Sequence, residues 1–299
     1  TSIRYELNHS LEVQPGLRIS YNSVYKTPLL PSLNVKWRII DRLNFRSSVA
    51  KGYRAPTIKE LYINFKDINH NIVPNTDLKP EEGINITASL DYNTEREEKL
   101  HYSHVKLNSF YNNIKNNINL ALVERFATLT DEYKYVNLTY FKTIGMNAQF
   151  SYEFYQKLYF SAGYGKTGIY FSTEVENSSI HDYIFSDNVS MSLSLRPINN
   201  NLNFSFFYKY NGKLIFYGIN EFDEIRTGEM QPFHILDFTV LKRFVNKYSI
   251  TTGIKDIFNV TDVRRTGDFI GFHTSTNNSS MAGWGRTIFL KLAMDIKWY

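Results

Sequence analysis

The sequence predicts an all-β chain forming part of a transmembrane antiparallel barrel, on three observations. Apolar residues recur at every second position over most of the length, short connections alternate with long ones, and 22 Tyr and 22 Phe among 299 residues favour strands. No run approaches the roughly 18 apolar residues of a membrane-spanning helix. That excludes helical spans only, because a barrel strand needs about 9–11 residues and its alternation keeps mean hydropathy low.

The elements follow in chain order. A frayed first strand is expected near Ile3 to Leu11 and a second from Leu17 to Ser23. Leu33, Val35, Trp37 and Ile39 then share one face, against Asn34, Lys36 and Arg38, and a strand from Leu43 to Val49 follows. Ile84, Ile86, Ala88, Leu90 and Tyr92 oppose Asn85, Thr87, Ser89 and Asp91. The stretch from His101 to Phe141 has no clear phase. Beyond it come strands from Ile144 to Phe154 and Leu158 to Tyr164. Val189, Met191, Leu193 and Leu195 face away from Ser190, Ser192, Ser194 and Arg196. After a turn, Leu202, Phe204, Phe206, Tyr208 and Tyr210 repeat the pattern, followed by strands from Leu236 to Val240 and Tyr248 to Ile254. In the last segment Ile288, Leu290, Leu292, Met294, Ile296 and Trp298 oppose Lys291, Asp295 and Lys297. A one-residue slip would put those charges into lipid.

About thirteen strands result. Tight links at Ile40 to Arg42, Tyr155 to Lys157, Pro197 to Asn201 and Phe244 to Lys247 take turns with long polar links. The long ones run from Arg54 to Glu82, Tyr170 to Asp187, Asn211 to Pro232 and Asn259 to Gly285. Short turns on one rim and long loops on the other are the habit of outer-membrane barrels. A soluble propeller or jelly roll would also alternate, but no blade-length repeat is present. Aromatic residues at strand ends (Trp37, Tyr53, Tyr92, Tyr164, Tyr210, Trp298, Tyr299) suit interfacial girdles. Closed single-chain bacterial barrels have even strand numbers, so residues 1–299 are expected to be one portion of a larger barrel. Thr1 is no initiator Met and the opening TSIRYELNHS is no signal peptide, so either a removed N-terminus or other missing segments are expected. Absence of Cys excludes disulfides and thiolate metal sites, and a net charge of +5 without a block of like charges argues against nucleic acid as a partner.

Two boxes punctuate the first long link. Gly52-Tyr53-Arg54-Ala55-Pro56 is followed by Lys59-Glu60-Leu61-Tyr62, and Asn75-Thr76-Asp77-Leu78-Lys79-Pro80-Glu81 lies beyond. Pro56 and Pro80 remove ladder donors, as segments leaving and re-entering a wall require. Gly253-Ile254-Lys255-Asp256-Ile257-Phe258-Asn259-Val260 and Gly285-Arg286-Thr287 form a further pair before the last strand. Together these motifs resemble those of TonB-dependent receptors: a strand ending in G-[FY]-R-A-P, a next strand entered through N-P-x-L-x-P-E, and a G-x-x-N-L-F-N box. Thr76 replaces the usual Pro and Asp256 the usual Asn.

The resemblance implies the C-terminal part of a barrel of about 22 strands, with the plug domain absent from this chain. It implies an outer-membrane importer of a scarce nutrient, such as haem or another iron chelate as the transported ligand, with no intrinsic cofactor. TonB-ExbB-ExbD would drive it through the plug; outer-membrane lipids, the barrel assembly machinery and a surface lipoprotein are the other implied partners. Similar haem receptors place a histidine between the two boxes as a haem ligand, which points to His70 in Asn69-His70-Asn71 as an iron ligand, with Tyr62 nearby. His181 and His273 fall in other long links and could join a ligand site. His101 and His104, three apart on a strand, point to opposite faces, and His9 and His234 read as strand residues. Trp298-Tyr299 resembles the aromatic end by which such barrels are recognised for insertion. The bland reading of Tyr53, Arg54, Ala55, Pro56, Asn75, Asp77, Leu78, Pro80 and Glu81 is scaffold.

Three alternatives stay open. Cobalamin, or a peptide or glycan delivered by a surface lipoprotein, would suit the same barrel, and a passive porin or structural barrel would share the wall without needing a plug. An outer-membrane enzyme needs a nucleophile beside a base and an acid; Glu221, Asp223 and Glu224 cluster in one link with no nucleophile set beside them.

Overall fold

In a computed structural model the described residues form mainly antiparallel strands and one short helix. The structure describes residues 1–67, 71–94, 101–124, 132–172, 182–197, 201–219, 225–244, 247–266, 279–281 and 283–294. In order, the elements are β1 (Tyr5–Asn8), β2 (Leu11–Arg18), β3 (Leu30–Ile40), β4 (Leu43–Arg54), α1 (Ile58–Tyr62), β5 (Phe65–Lys66), β6 (Asn71–Val73) and β7 (Glu81–Asn93). The two longest follow, β8 (His101–Glu124) and β9 (Glu132–Phe154), then β10 (Leu158–Ser172), β11 (Ile184–Leu195), β12 (Leu202–Asn211), β13 (Leu214–Ile219) and β14 (Ile225–Met230). The chain continues through β15 (Phe233–Phe244), β16 (Tyr248–Lys255), β17 (Asp262–Thr266) and β18 (Ser279–Met281) to β19 (Thr287–Met294).

Thirteen of these form one antiparallel meander, in the order β1-β2-β3-β4-β7-β8-β9-β10-β11-β12-β15-β16-β19. Among the described residues β1 and β19 are not paired to each other, so the wall is an open sheet. Its register explains the alternation. One line across the wall reads Leu43, Tyr92, Val105, Phe150, Ala162, Met191, Tyr208, Leu236. A line on the other face reads Glu12, Lys36, Arg46, Ser89, Asn108, Asn147, Gly165, Asn188, Asn211. Apolar side chains on the first face, such as Leu33, Ile86, Met191 and Leu290, are exposed, as lipid-facing groups must be once protein no longer covers them.

The strand count and the two rims agree with expectation, and the unphased stretch resolves into β8 and β9. At roughly 3.3 Å per residue each is about 75–80 Å long, against the 9–11 residues a bilayer needs, so both continue far beyond the wall on the long-loop side. That extension holds much of what core there is: Ala121, Leu138 and Phe171 pack together with Val136, Phe141 and Ile169.

The second expected strand is displaced. Leu17 to Ser23 is not a strand; β2 runs from Leu11 to Arg18, and the first expected strand is broken at residues 9 and 10. The cause is Asn8, whose Oδ1 accepts from the Ser10 and Leu11 amides, both at 2.9 Å, and makes the hairpin turn. His9 accordingly lies in that turn rather than in a strand, whereas His234 is in β15. The long links also carry structure of their own. β13, β14, β17 and β18 make a separate four-stranded sheet on the long-loop side. Its entry needs Gly212, because a Cβ there would stand 2.1 Å from the Asp187 carbonyl that accepts from its amide.

Placing a charge at mid-wall tests which face meets lipid. Met191→Arg is expected to cost about 2–4 kcal/mol of barrel stability, and Ser192→Arg on the polar face far less. Urea unfolding in lipid vesicles measures both.

Candidate functional site

The first long link packs against the extensions of β8 and β9, on the side continuous with the polar face of the wall, and is fastened there by a few long-range contacts. Helix α1 starts at a capping box: Thr57 Oγ1 accepts from the Glu60 amide at 3.2 Å, and Glu60 Oε2 accepts from the Thr57 amide at 2.7 Å. The Thr57-Ile58-Lys59-Glu60 sequence is the signature of such a box, and it was the one available signal for this helix. The same Glu60 carboxylate meets Arg54 at the end of β4, with both oxygens 2.9 Å from Nη1.

Arg54 joins the two boxes. Its Nε and Nη2 donate to the two oxygens of Glu81, the first residue of β7, at 2.7 and 2.8 Å. Glu81 also accepts from the Ile118 amide at 2.8 Å and the Asn117 side chain at 3.0 Å, which ties the node to β8. Burial of the Glu60 carboxyl opposes its ionisation. The Arg54 guanidinium and the amide and hydroxyl of Thr57 outweigh that and hold the group below the usual carboxylate range.

The second box completes the fastening. Asn75 donates from Nδ2 to the Tyr135 carbonyl at 2.7 Å, and its Oδ1 accepts from the Asp77 amide at 3.1 Å. This side-chain turn does the work that a Pro at position 76 would do, so Thr76 is tolerated. The Lys79 amide donates to Asn137 Oδ1 and the Lys79 carbonyl accepts from Asn137 Nδ2, both at 2.9 Å, and the Pro80 carbonyl accepts from the Asn116 side chain. Leu78 and Leu61 are buried against Ile118 and Tyr135. Pro56 is buried, and Ala55 and Tyr53 are half-buried, with the Tyr53 hydroxyl enclosed. Asp77 is exposed in the turn. Sequence reasoning missed the partners of this node (Asn116, Asn117, Ile118, Tyr135, Asn137), because all lie in the stretch without a clear phase.

The ligand candidates are less gathered. Tyr62 ends α1 and is exposed. Asn71 is buried in β6, its side chain 3.4 Å from Glu132, and its strand pairs in parallel with residues 132–134 of β9. Asn69, His70, His181, His273, Glu221, Asp223, Glu224, Trp298 and Tyr299 lie outside the described residues. His101 and His104 do diverge: His101 meets the Tyr152 hydroxyl at 2.8 Å, and His104 pairs with Asp91 at 3.0 Å. Among the described residues no group of three or more metal-ligating side chains occurs.

At the far end of the wall, β16 leaves through a second tight node. Asp256 and Asn259 take positive φ, Asp256 Oδ2 accepts from the Val260 amide at 2.7 Å, and Asn259 Oδ1 accepts from the Arg286 amide at 2.9 Å. Here the carboxylate of Asp256 serves as the acceptor that the usual Asn would supply. The guanidinium of Arg286 donates to the Ile257 carbonyl, and Gly285 sits at φ +74°, where a side chain would be strained.

Comparison with known proteins agrees with this architecture. The family described as "TonB dependent receptor-like, beta-barrel" matches residues 2–260. The ferric enterobactin receptor of Pseudomonas aeruginosa, solved as a mutant with enterobactin, superposes at a TM-score of 0.69 and 17% identity, over 96% of this chain and 43% of that one. The FrpB iron transporter of Neisseria meningitidis gives 0.66 and 15%, over 97% and 44%. The chain thus spans less than half the length of these receptors. Hemoglobin and hemoglobin-haptoglobin-binding protein B of Haemophilus influenzae is 35% identical over 83 residues, 28% of this chain and 7% of that protein.

The clamp is testable. Arg54→Ala should speed proteolytic cleavage between residues 55 and 80 while leaving the wall strands protected. Because the Glu60 pKa is lowered on folding, its contribution is complete above the unfolded-state pKa and is lost as pH falls through the folded one. Protection of this loop from amide exchange should therefore drop only on the acid side of the ordinary carboxylate range.

Proposed function

Because the chain belongs to the TonB-dependent receptor family through its β-barrel, we propose that it forms part of an outer-membrane importer of haem or another iron chelate. The family consists of receptors and transporters, its barrels are outer-membrane proteins, and membership implies coupling to TonB-ExbB-ExbD. In this reading residues 1–299 are the C-terminal portion of the barrel, and the polar face of the wall, from Glu12 to Asn211, meets the plug. The outer loops form the vestibule that takes the cargo, with outer-membrane lipids around the wall, the barrel assembly machinery as insertion partner and a surface lipoprotein as a candidate delivery partner.

One observation carries the proposal. The Arg54–Glu60–Glu81 node ties both ends of the 55–80 loop together at the long-loop rim, which supports a reading in which the loop presents its residues at the outer mouth. Within that loop His70 is assigned as ligand to the iron of the cargo, with Tyr62 and Asn69 from the same loop and His181 and His273 contributed by neighbouring links, whereas Asn71 is buried beside Glu132 and serves to fasten the loop. Iron cargo is favoured over cobalamin, peptide or glycan by the names of the similar proteins, which bind ferric enterobactin or haemoglobin.

His70→Ala in the receptor, expressed in a haem-auxotrophic host, is expected to weaken haem binding and slow haem-dependent growth. Unchanged binding and growth would overturn the ligand assignment. Growth on haem that does not require this receptor at all would overturn the cargo.

A further inference from the structure

The exposed face of the wall carries a furrow that the import reading does not use. Small residues Ala88 and Ser109 stand opposite each other on β7 and β8, between the larger Ile86, Tyr111, Ile144 and Met146. They leave a groove of about 440 Å³ whose lining is almost wholly apolar. Along β9, two residues beyond Ile144 toward the long-loop rim and on the same face, stands Lys142. Lys115 stands on that face of β8, beyond Tyr111.

These two lysines share a ring: Lys115 Nζ is 5.7 Å and Lys142 Nζ 5.1 Å from the centre of Tyr140. Lys142 also lies 4.9 Å from the Tyr170 ring, which packs on Tyr183. No carboxylate among the described residues pairs with either amine. Glu82, in register with Lys115, is engaged by Lys51 at 3.0 Å. A third amine, Lys166, borders the groove, 3.9 Å from Asp187. Cations that no described carboxylate pairs with, placed where an apolar belt gives way to tyrosines, are poised for an anionic headgroup.

We propose that this face binds one phosphorylated lipid of the surrounding leaflet, its phosphate between Lys115 and Lys142 and an acyl chain in the furrow over Ala88 and Ser109. Charge complementarity selects the occupant: compact ammonium groups suit phosphate, tyrosine hydroxyls can donate to its remaining oxygens, and the adjoining groove takes only hydrocarbon. The inference rests on the reading that this wall is embedded in the outer membrane.

The test uses the receptor purified from outer membranes, exchanged into mild detergent and titrated with diphosphoryl lipid A, with retention read by native mass spectrometry. K115Q/K142Q is expected to weaken retention roughly tenfold or more, K115R/K142R to preserve it, and A88L to weaken it by filling the furrow. All three should keep the heat-modifiable gel mobility of a folded barrel. Equal retention by K115Q/K142Q and wild type overturns the proposal. So does equal retention of dephosphorylated lipid A, or competition by inorganic phosphate alone at matched concentration, which would mark a free-anion site. Haem-dependent growth, measured in the same strains, should be unchanged in the lysine variants; its absence already in wild type would count against the import reading and leave the lipid result standing.

Discussion

Everything in this structure depends on one constraint: in hydrocarbon no water is available to satisfy a backbone amide or carbonyl, so each must be paired within the protein. A strand cannot do this alone, which forces its neighbour to lie in register beside it, and the thirteen-strand meander follows. Pairing of this kind also fixes which face every side chain takes. The apolar line through Phe150, Ala162 and Met191 and the polar line through Asn147, Gly165 and Asn188 are two consequences of the same ladder. The short rim belongs to the same logic. A link of two residues, as between β3 and β4, keeps adjacent strands antiparallel and leaves little unpaired backbone at the membrane edge.

That constraint also explains which parts of the fold could be read in the sequence. Where a strand separates lipid from lumen, as in β3, β11 and β12, the period of two is strict and the element was legible to within a few residues. Beyond the membrane the constraint lapses. Beyond Lys115 in β8 and before Tyr140 in β9 both faces meet protein or water, and Asn, Lys and Tyr occupy either side without rule. The strands persist there through packing around Leu138 and Phe171, which only the folded chain reveals. The displaced β2 has a smaller cause: one Asn8 side chain closes a hairpin in the middle of what looks like a continuous strand.

The boxes around the first long link and before the last strand were legible as motifs, but their action was not. Arg54, Glu60 and Glu81 are each ordinary surface residues by type; they become a clamp because β4 and β7 are neighbours and α1 turns back between them. The two departures from the family pattern follow the same rule of function before identity. Asn75 makes through its side chain the turn that a Pro would preset, and Asp256 supplies the acceptor that an Asn would supply. A substitution at such a position is tolerated when the hydrogen bond it must provide is still made.

Scaffold and recognition are therefore separable along this chain. The fastening residues of the 55–80 loop point inward, to Tyr135, Asn137, Ile118 and Arg54, and so are unavailable to a ligand. Asn71 belongs with them, since its side chain is buried beside Glu132 and its backbone extends β9. In the proposed import reading, what remains in the loop to meet cargo is the stretch of sequence from Tyr62 to His70, together with residues of the neighbouring links. A change of cargo in that reading then needs changes at those few positions alone, while the clamp and the ladder stay as they are.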